Sequence, residues 1–494
     1  MATFDELQPR SVWQIFGELA RVPRGSGNEK AVMAMLKTWA TGRGLVWRED
    51  GVGNLLVEIP ASPGLEHASP VLVQGHVDMV CEKDAATKHD FAKDPIRVQV
   101  DGDWVKADGT TLGADNGIGV SMGLALAVEA GVRHGPVEIL LTVDEERGLT
   151  GAAGIEAGFF RSRRMINLDS EEDAAIFMGC AGGRDSILTL SLRAGKAPQS
   201  MVGRKLAIKG IKVGPKEIKG LRGGHSGLDI NTGRGNANKL LARALDHVAG
   251  QMPLRVAQIG GGLLRNAIPR EAEARVLVPA AKARVFKQLV DEFLERVKAE
   301  ELQDADPDLN WQIGSSKVEK AWTESDTRRL LSLLVAIPSG VLGMSRALPD
   351  LVESSSNLGV VRTEGNEVVM VCCSRSSVMS HLDDLAGVHR ALASLACAEI
   401  EQPAGYPGWQ PNPASPLLHI VVDQYARLFG ARPELKAVHA GLECGLLLRS
   451  YPDLDIVSFG PNIVGAHSPD ERVQVSSVAK VWTLFKAVVE DLAR

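Results

Sequence analysis

"ILLTVDEERGLTGA", residues 139–152, runs apolar positions straight into Asp144, Glu145 and Glu146 and then into a glycine-bearing turn. Three adjacent carboxylates at the end of a buried strand are costly, because like charges in contact raise each other's pKa unless positive charge offsets them. What surrounds the stretch decides how it is read. "NLLVEIP" (54–60), "PVLVQGH" (70–76), "VEILLTV" (137–143) and "MINLDS" (165–170) are strand-like, and "GIGVSMGLALAVEAG" (117–131) is helical. Two amphipathic helices, roughly 11–21 and 28–42, precede them. Such alternation predicts an α/β fold with a mostly parallel sheet, whose functional residues gather beyond the carboxyl ends of the strands. Those ends carry His76, Asp78, Asp144, Glu145, Glu146 and Asp169.

From about residue 187 the texture changes. "DSILTLSLRAG" (185–195) and "RKLAIKGIKVG" (204–214) alternate in the period of half-exposed antiparallel strands, and "GNANKLLARALDHVAG" (235–250) is a helix. "EARVLVPA", a helix near 282–301, the hairpin-like "NLGVVRTEGNEVVMVCCSRSS" and a helix near 381–397 complete an α+β unit. The proline-rich "EQPAGYPGWQPNPASP" (401–416) reads as a return linker. Beyond it, "HIVVDQYARLFG", "LDIVSFGPN" and "SVAKVWTLFKAVVEDLAR" resume the first pattern. The expected organisation is a domain of residues 1–186 and 401–494, interrupted by an inserted domain of residues 187–400.

Composition narrows the function. The chain has 494 residues, is 45% hydrophobic and carries a net charge of -6, so it can bury a large core and offers no basic surface for nucleic acid or anionic membrane. The N-terminus lacks the pattern of a signal peptide and no long apolar run follows, which places the protein in the cytoplasm. Six scattered cysteines without a C-x-x-C pair suit reduced packing thiols.

Imidazole and carboxylate are the usual ligands of zinc and its neighbours, and paired metals need a bridging carboxylate. In "VLVQGHVDMV", His76 ends a strand and Asp78 can hold its ring in one tautomer, although a lone H-x-D also fits a structural histidine. In "GTTLGADNGIGV", Asp115 opens a helix and also fits a simple N-cap. Asp169 fits a cap, and His467 in "GPNIVGAHSPDE" fits a surface loop. Each alone has an ordinary explanation; together with the acidic triplet, all at strand ends or glycine loops, they point to a metal centre.

"GHVDMV", "GTTLGADNGIG", "LTVDEERGLTGA", "NLDSEE", "GCAGG", "GGHSGLDI", "GNANKLL", "LRNAIPRE", "HAGLECG" and "GPNIVGAHSPDE" occur in order between residues 75 and 471. They resemble the M20 metallopeptidases, and among them the aminoacyl-histidine dipeptidase, or cytosolic non-specific dipeptidase, group. The resemblance implies a two-zinc catalytic domain with an inserted α+β lid and dimerisation domain. It implies that Asp115 bridges two Zn(2+) ions, with Co or Mn as possible substitutes, that His76 and Asp169 complete one site and that Glu146 and His467 complete the other. Glu145 is then the general base that activates a water between the metals, Asp78 orients His76, and the Asp115–Asn116 peptide is cis. An aspartate at position 169 goes, within the family, with aminopeptidases and dipeptidases.

In the insert, His225 of "GGHSGLD" resembles the lid histidine that reaches the tetrahedral intermediate, in some members across a dimer interface. Ser226 beside it is not in a G-x-S-x-G elbow, so a serine hydrolase is disfavoured. Asn266 and Arg375 are candidates for oxyanion or carboxylate contacts, Arg for its bidentate match to carboxylate, and a role in lid structure competes for both. Glu443 is a candidate for the substrate amino group or a supporting position. His67, His89, His134, His247, His381 and His389 have no supporting motif, while His419 and His439 fall in the resumed catalytic part, where His439 can line the pocket. The expected activity is metal-dependent hydrolysis of unblocked dipeptides, including β-alanyl-histidine-like Xaa-His substrates, by a homodimer formed through the lid. An N-acyl amino acid amidohydrolase on the same scaffold and a non-hydrolytic metal-containing binding module are the alternatives.

Overall fold

The computed structural model describes residues 6–212 and 218–494 and divides into two compact units. The first comprises Met1–Cys180, Trp409–Ala437 and Leu442–Arg494, the second Ala181–Gly408 and Val438–Gly441. The units part a few residues away from the expected 186/187 and 400/401, for a visible reason. The strand Gly182–Ser191 pairs along its whole length with Glu367–Ser376, and Glu399–Glu401 pairs on its other edge. Gly183 is also bridged to Tyr406. Both ends of the insert are thereby tied into one sheet. The end of the "RKLAIKGIKVG" stretch, Val213 and Gly214, lies outside the described residues.

The first unit is built on an eight-stranded mixed sheet. Its centre is parallel, in the order Val137–Thr142, Val71–His76, Arg164–Asn167 and Asp455–Ser458. Its flanks are antiparallel, with Leu55–Ile59 on Val137–Thr142 and Ala175–Cys180 on Asp455–Ser458. Every residue of Val71–His76 and Val137–Thr142 is buried, as expected where helices cover both faces and alternation disappears. Register matters for function: His76 lies opposite Thr142 and Gln74 opposite Asn167. The three strands therefore end side by side, and His76, the acidic triplet and Asp169 leave the sheet at one edge.

The buried helix Ala114–Ala125 packs on this sheet and on the helix Arg10–Ala20, whose Trp13 and Phe16 are fully buried. Gly119 is required here, since a Cβ would come within 2.3 Å of the Leu168 carbonyl oxygen. A small antiparallel sheet of Val98–Asp101, Trp104–Ala107, Arg472–Gln474 and Ile463–Val464 presents the 465–471 turn, which carries His467.

The second unit is an antiparallel nine-stranded sheet. The helices Ala237–Ala249, Ala283–Glu300 and Glu324–Ala336 bury Leu241, Leu245, Phe286, Leu294, Leu330 and Leu334 in one core with it. The "EGNE" turn joins Val352–Glu364 to Glu367–Ser376 through Gly365 at φ 62°, a left-handed conformation that glycine adopts without steric cost. Among the described residues, no helix is long and apolar enough to cross a membrane. The cysteines differ from expectation: Cys180, Cys372, Cys373 and Cys444 are buried, but Cys81 and Cys397 lie on loops or helix ends and are exposed.

Candidate metal centre

Asp115 stands in the middle of the converging strand ends. Its Oδ1 lies 3.1 Å from His76 Nε2 and its Oδ2 3.1 Å from His467 Nε2. On one side, Asp169 Oδ1 comes within 3.4 Å of His76 Nε2. On the other, Glu146 Oε1 is 3.0 Å from His467 Nε2. His76, Asp115 and Asp169 form one set of mutually close ligand atoms, and Asp115, Glu146 and His467 form another. A third set joins His76, Glu145 and Glu146. Asp115 is thus shared between two clusters, one through each oxygen.

The loop holding Asp115 is braced from both sides. Glu471 accepts the backbone N–H groups of Leu112, Gly113, Ala114 and Asp115 at 2.7 to 3.3 Å. Arg24, itself buried, donates to the carbonyls of Val77, Asp78 and Gly113. Asn116, joined to Asp115 by a cis peptide bond, donates to Leu168 O at 2.7 Å. Asp78 organises the triplet: its Oδ1 accepts the Glu145 N–H, its Oδ2 accepts the Glu146 N–H and the Ser26 hydroxyl, and Oδ1 lies 3.4 Å from His76 Nδ1. Burial alone would push the Asp78 carboxyl up, but the bonds from His76 and Ser26 and the backbone outweigh it and hold the group near about 2. Asp144 turns the other way, at φ 54°, with its carboxylate on Arg147 and Thr150.

The electrostatics explain the cost posed by the triplet. Burial pushes Glu145 well above the ordinary carboxylate range, and Asp169, Glu443 and Glu146 add repulsion. Burial and the same neighbourhood raise Asp169 to about 7. His467, hydrogen-bonded to Asp115 and ion-paired with Glu146, is pulled up to about 11. Asp169 Oδ1 and Glu146 Oε1 are buried and lack hydrogen-bond partners. Such oxygens, grouped with imidazole nitrogens around a shared carboxylate, are the donor set of divalent cations such as zinc, and positive charge is what the cluster lacks. The residues present fit metal ions.

Glu443 lies beneath the cluster and is buried. Its Oε2 accepts from Gln74 Nε2 at 2.6 Å and Thr142 Oγ1 at 2.7 Å, while Oε1 has no hydrogen-bond partner. Burial raises its carboxyl to about 7.

The remaining candidates belong to the second unit. His225, on a short strand, lies opposite Ala267, next to the exposed Asn266. Its Nδ1 accepts the N–H groups of Gly227 and Leu228, so the ring proton of the neutral form sits on Nε2. Burial and the nearby Arg375 charge lower its pKa. Arg375 is 5% exposed and donates to the Tyr406 hydroxyl at 2.9 Å, yet its Nε is unpartnered and it has no ion pair among the described residues. His439 departs from expectation: Val438–Gly441 belongs to the second unit because the Ala181 N–H bonds to the carbonyls of Val438 and Ala440. Its Nε2 lies 2.7 Å from Ser355 Oγ, and burial lowers its pKa to about 3. Arg24, Ser26, Ser355, Tyr406 and Glu471 were not among the residues expected at the site, although Glu471 lies in "GPNIVGAHSPDE" and Tyr406 in "EQPAGYPGWQPNPASP".

The sequence profile of peptidase family M20/M25/M40 matches residues 72–491. The chain belongs to this family. M20 peptidases are hydrolases acting on peptide bonds, and so is this chain. It is 42% identical over 493 residues to the cytosol non-specific dipeptidase of Escherichia coli K12, covering 100% of this chain and 99% of that protein. The crystal structure of the aminoacylhistidine dipeptidase of Vibrio alginolyticus superposes with a TM-score of 0.91 at 40% identity, covering 99% and 98% of the two chains. Aminopeptidase PepT of Bacillus cereus, at 15% identity and a TM-score of 0.54 over 99% of this chain, shares the fold.

Proposed function

We propose that this M20 peptidase is a cytosolic, two-zinc dipeptidase that cleaves unblocked dipeptides, Xaa-His substrates among them. The observation that carries the reading is Asp115, whose two carboxylate oxygens each face a different imidazole, His76 and His467, at 3.1 Å. The names of the Escherichia coli and Vibrio relatives, matched over essentially the whole chain, support the substrate class. His76, Asp115 and Asp169 would hold one ion, and Asp115, Glu146 and His467 the other. Bound there, divalent cations supply Lewis acidity toward a carbonyl and acidify water.

The chain's own residues do the rest. Glu145 is the general base: its carboxylate takes the proton of the attacking water and hands it to the leaving amine. Asp78 is a positioning residue that keeps the His76 ring aimed and braces the Glu145 and Glu146 backbone. His225, with its proton on Nε2, is a donor suited to the developing oxyanion, and Asn266 is a second. Arg375, buried without a carboxylate partner, is suited to the terminal carboxylate of a dipeptide. Glu443 Oε1 is an acceptor for the substrate ammonium group. We further propose that the second unit is the lid, through which two copies pair.

The test compares metal-loaded enzyme on β-alanyl-histidine, Leu-Gly and their N-acetylated forms. Free dipeptides are expected to be cleaved; a preference for the acetylated forms identifies an amidohydrolase instead. Anomalous scattering counts the metals, with two ions about 3.5–4 Å apart expected of a co-catalytic site.

A further inference from the structure

A cavity of about 500 Å³ opens in the first unit against Glu146, a size typical of small-ligand clefts, which run from roughly 300 to 1,000 Å³. Two chain segments, around Gly25–Asn28 and Met79–Glu82, form its sides. They are locked together: the Met79 N–H donates to the Arg24 carbonyl at 3.1 Å, and Gly25 and Met79 form a parallel bridge. The Ser26 hydroxyl donates to Asp78 Oδ2 at 2.7 Å, so the wall is fastened to the carboxylate that faces His76. The lining exposes more apolar than polar surface, Met79, Val80, Phe91 and Ala92 standing beside the charged Glu82 and Arg147, with the Cys81 thiol packed against Gly25. A Cβ on Gly25 would come within 2.5 Å of Cys81 Sγ, so glycine there lets the thiol pack directly against the backbone of the opposite segment. The Cys81 thiol is exposed at one side, and its partial burial raises its pKa above the ordinary value, so it lines the wall mainly as a neutral thiol. The proposed chemistry gives no role to Met79, Cys81, Phe91 or Ala92, yet the cavity touches a proposed metal ligand, Glu146.

We infer that this cavity receives the apolar side chain of one residue of the dipeptide, and that Gly25, Met79, Cys81 and Phe91 set substrate preference. The inference rests on the dipeptidase reading above. An apolar side chain leaves water for a preformed apolar wall, while Gly-Gly has nothing to place there. Filling the cavity must therefore change discrimination between substrates more than it changes the chemistry, since pocket contacts of a methylene or more are worth roughly 10–200-fold in relative kcat/KM.

The experiment has two arms. In the first, the Leu-Gly, Phe-Gly, Gly-Leu and Gly-Phe series is compared with Gly-Gly for wild type, Cys81→Phe and Phe91→Ala. The ratio of kcat/KM for one Leu or Phe series over Gly-Gly is expected to fall at least tenfold in Cys81→Phe; equal losses on all substrates overturn the inference. The second arm leaves Cys81 native. In the Glu145→Gln protein, alkylation of Cys81 by N-ethylmaleimide is followed by mass spectrometry, with the exposed Cys397 as internal reference. A dipeptide of the preferred series should slow Cys81 labelling several-fold and leave Cys397 unchanged, whereas Gly-Gly should protect less. Labelling of Cys81 indifferent to every dipeptide overturns the inference while leaving the dipeptidase reading intact. Failure of the wild type to cleave any dipeptide brings down that reading first, and the subsite with it.

Discussion

The two polar clusters of this molecule are opposites. In the first unit, carboxylates crowd around His76 and His467, two of their oxygens are buried without hydrogen bonds, and main-chain bonds to Asp78 and Glu471 hold the loops that carry them. In the second, a buried guanidinium has no carboxylate partner among the described residues, and burial together with its charge lowers the pKa of the histidines near it, His225 and His439. One cluster is short of positive charge and the other of negative charge. A buried unpaired charge is expensive, so each deficit is informative: the first suits dications, the second an anionic group of a substrate. A free dipeptide undergoing hydrolysis carries a carboxylate and develops an oxyanion.

The sharpest break in that contrast comes from Glu145. Glu145→Gln keeps the shape of the side chain and removes the base, so kcat should fall by about 10²–10⁴-fold, while metal content by elemental analysis stays that of wild type. If metal is lost in proportion to activity, Glu145 is a ligand and the assignment within the triplet is wrong. Next comes Arg375→Met. A charge-assisted hydrogen bond is worth about 1.5–3 kcal/mol, hence a loss of roughly 10- to 150-fold in kcat/KM on free dipeptides. Dipeptide amides, which lack the carboxylate, should be cleaved poorly by both proteins and distinguish them little. An equal loss on amides would assign Arg375 to lid structure.

Weaker again is the bracing. Glu471→Gln retains one acceptor oxygen for the Leu112–Asp115 amides, and Asp78→Asn replaces one acceptor with a donor facing the Glu145 and Glu146 amides. Each should weaken metal binding by about 10–100-fold, the usual consequence of losing an outer partner. Titration of apo-protein with zinc against a chelating dye measures this directly. Unchanged affinity in both would mean that the first cluster is not held by its loops.

What the sequence could reveal follows the same division. The strands ending at His76, Thr142 and Asn167 are continuous apolar runs, and a parallel sheet must line up their carboxyl ends, so the gathering of His76, Glu146 and Asp169 was legible. Glu471 and Arg24 were not, because they act on backbone groups hundreds or tens of positions away and leave no periodic trace. His439 was placed in the wrong unit since the flanking segments belong to the first, and only Val438–Gly441 turns into the second. The insert boundaries slipped because paired backbone, not a change of composition, ends a domain: Gly182–Ser191 and Glu399–Glu401 lie in one sheet. Cys81 was read as a packing thiol, and its exposure depends on loops that alternation does not describe.

A last effect, on stability and not on activity, concerns the second unit alone and tests how far its histidines resist charge. His389, in the helix Met379–Ala396, is fully buried with Nδ1 3.0 Å from Ser186 Oγ, and burial lowers its pKa to about 4 from an ordinary 6.5. As pH falls below 6.5 the unfolded chain takes up this proton before the folded one does, so the folded unit loses stability from there down to about pH 4 and is unaffected above. With 1.36 kcal/mol per pKa unit, the loss by pH 4 is on the order of 3 kcal/mol. His439, lowered to about 3, pushes in the same direction. His389→Gln keeps a polar group near Ser186 and cannot ionise. Amide hydrogen exchange of residues 379–396, corrected for intrinsic rates, should show protection that drops between pH 7 and 5 in wild type and drops less in the variant. An identical drop would mean that His389 accepts its proton in the folded state, and the second unit would then tolerate positive charge better than its buried guanidinium and neutral histidines imply.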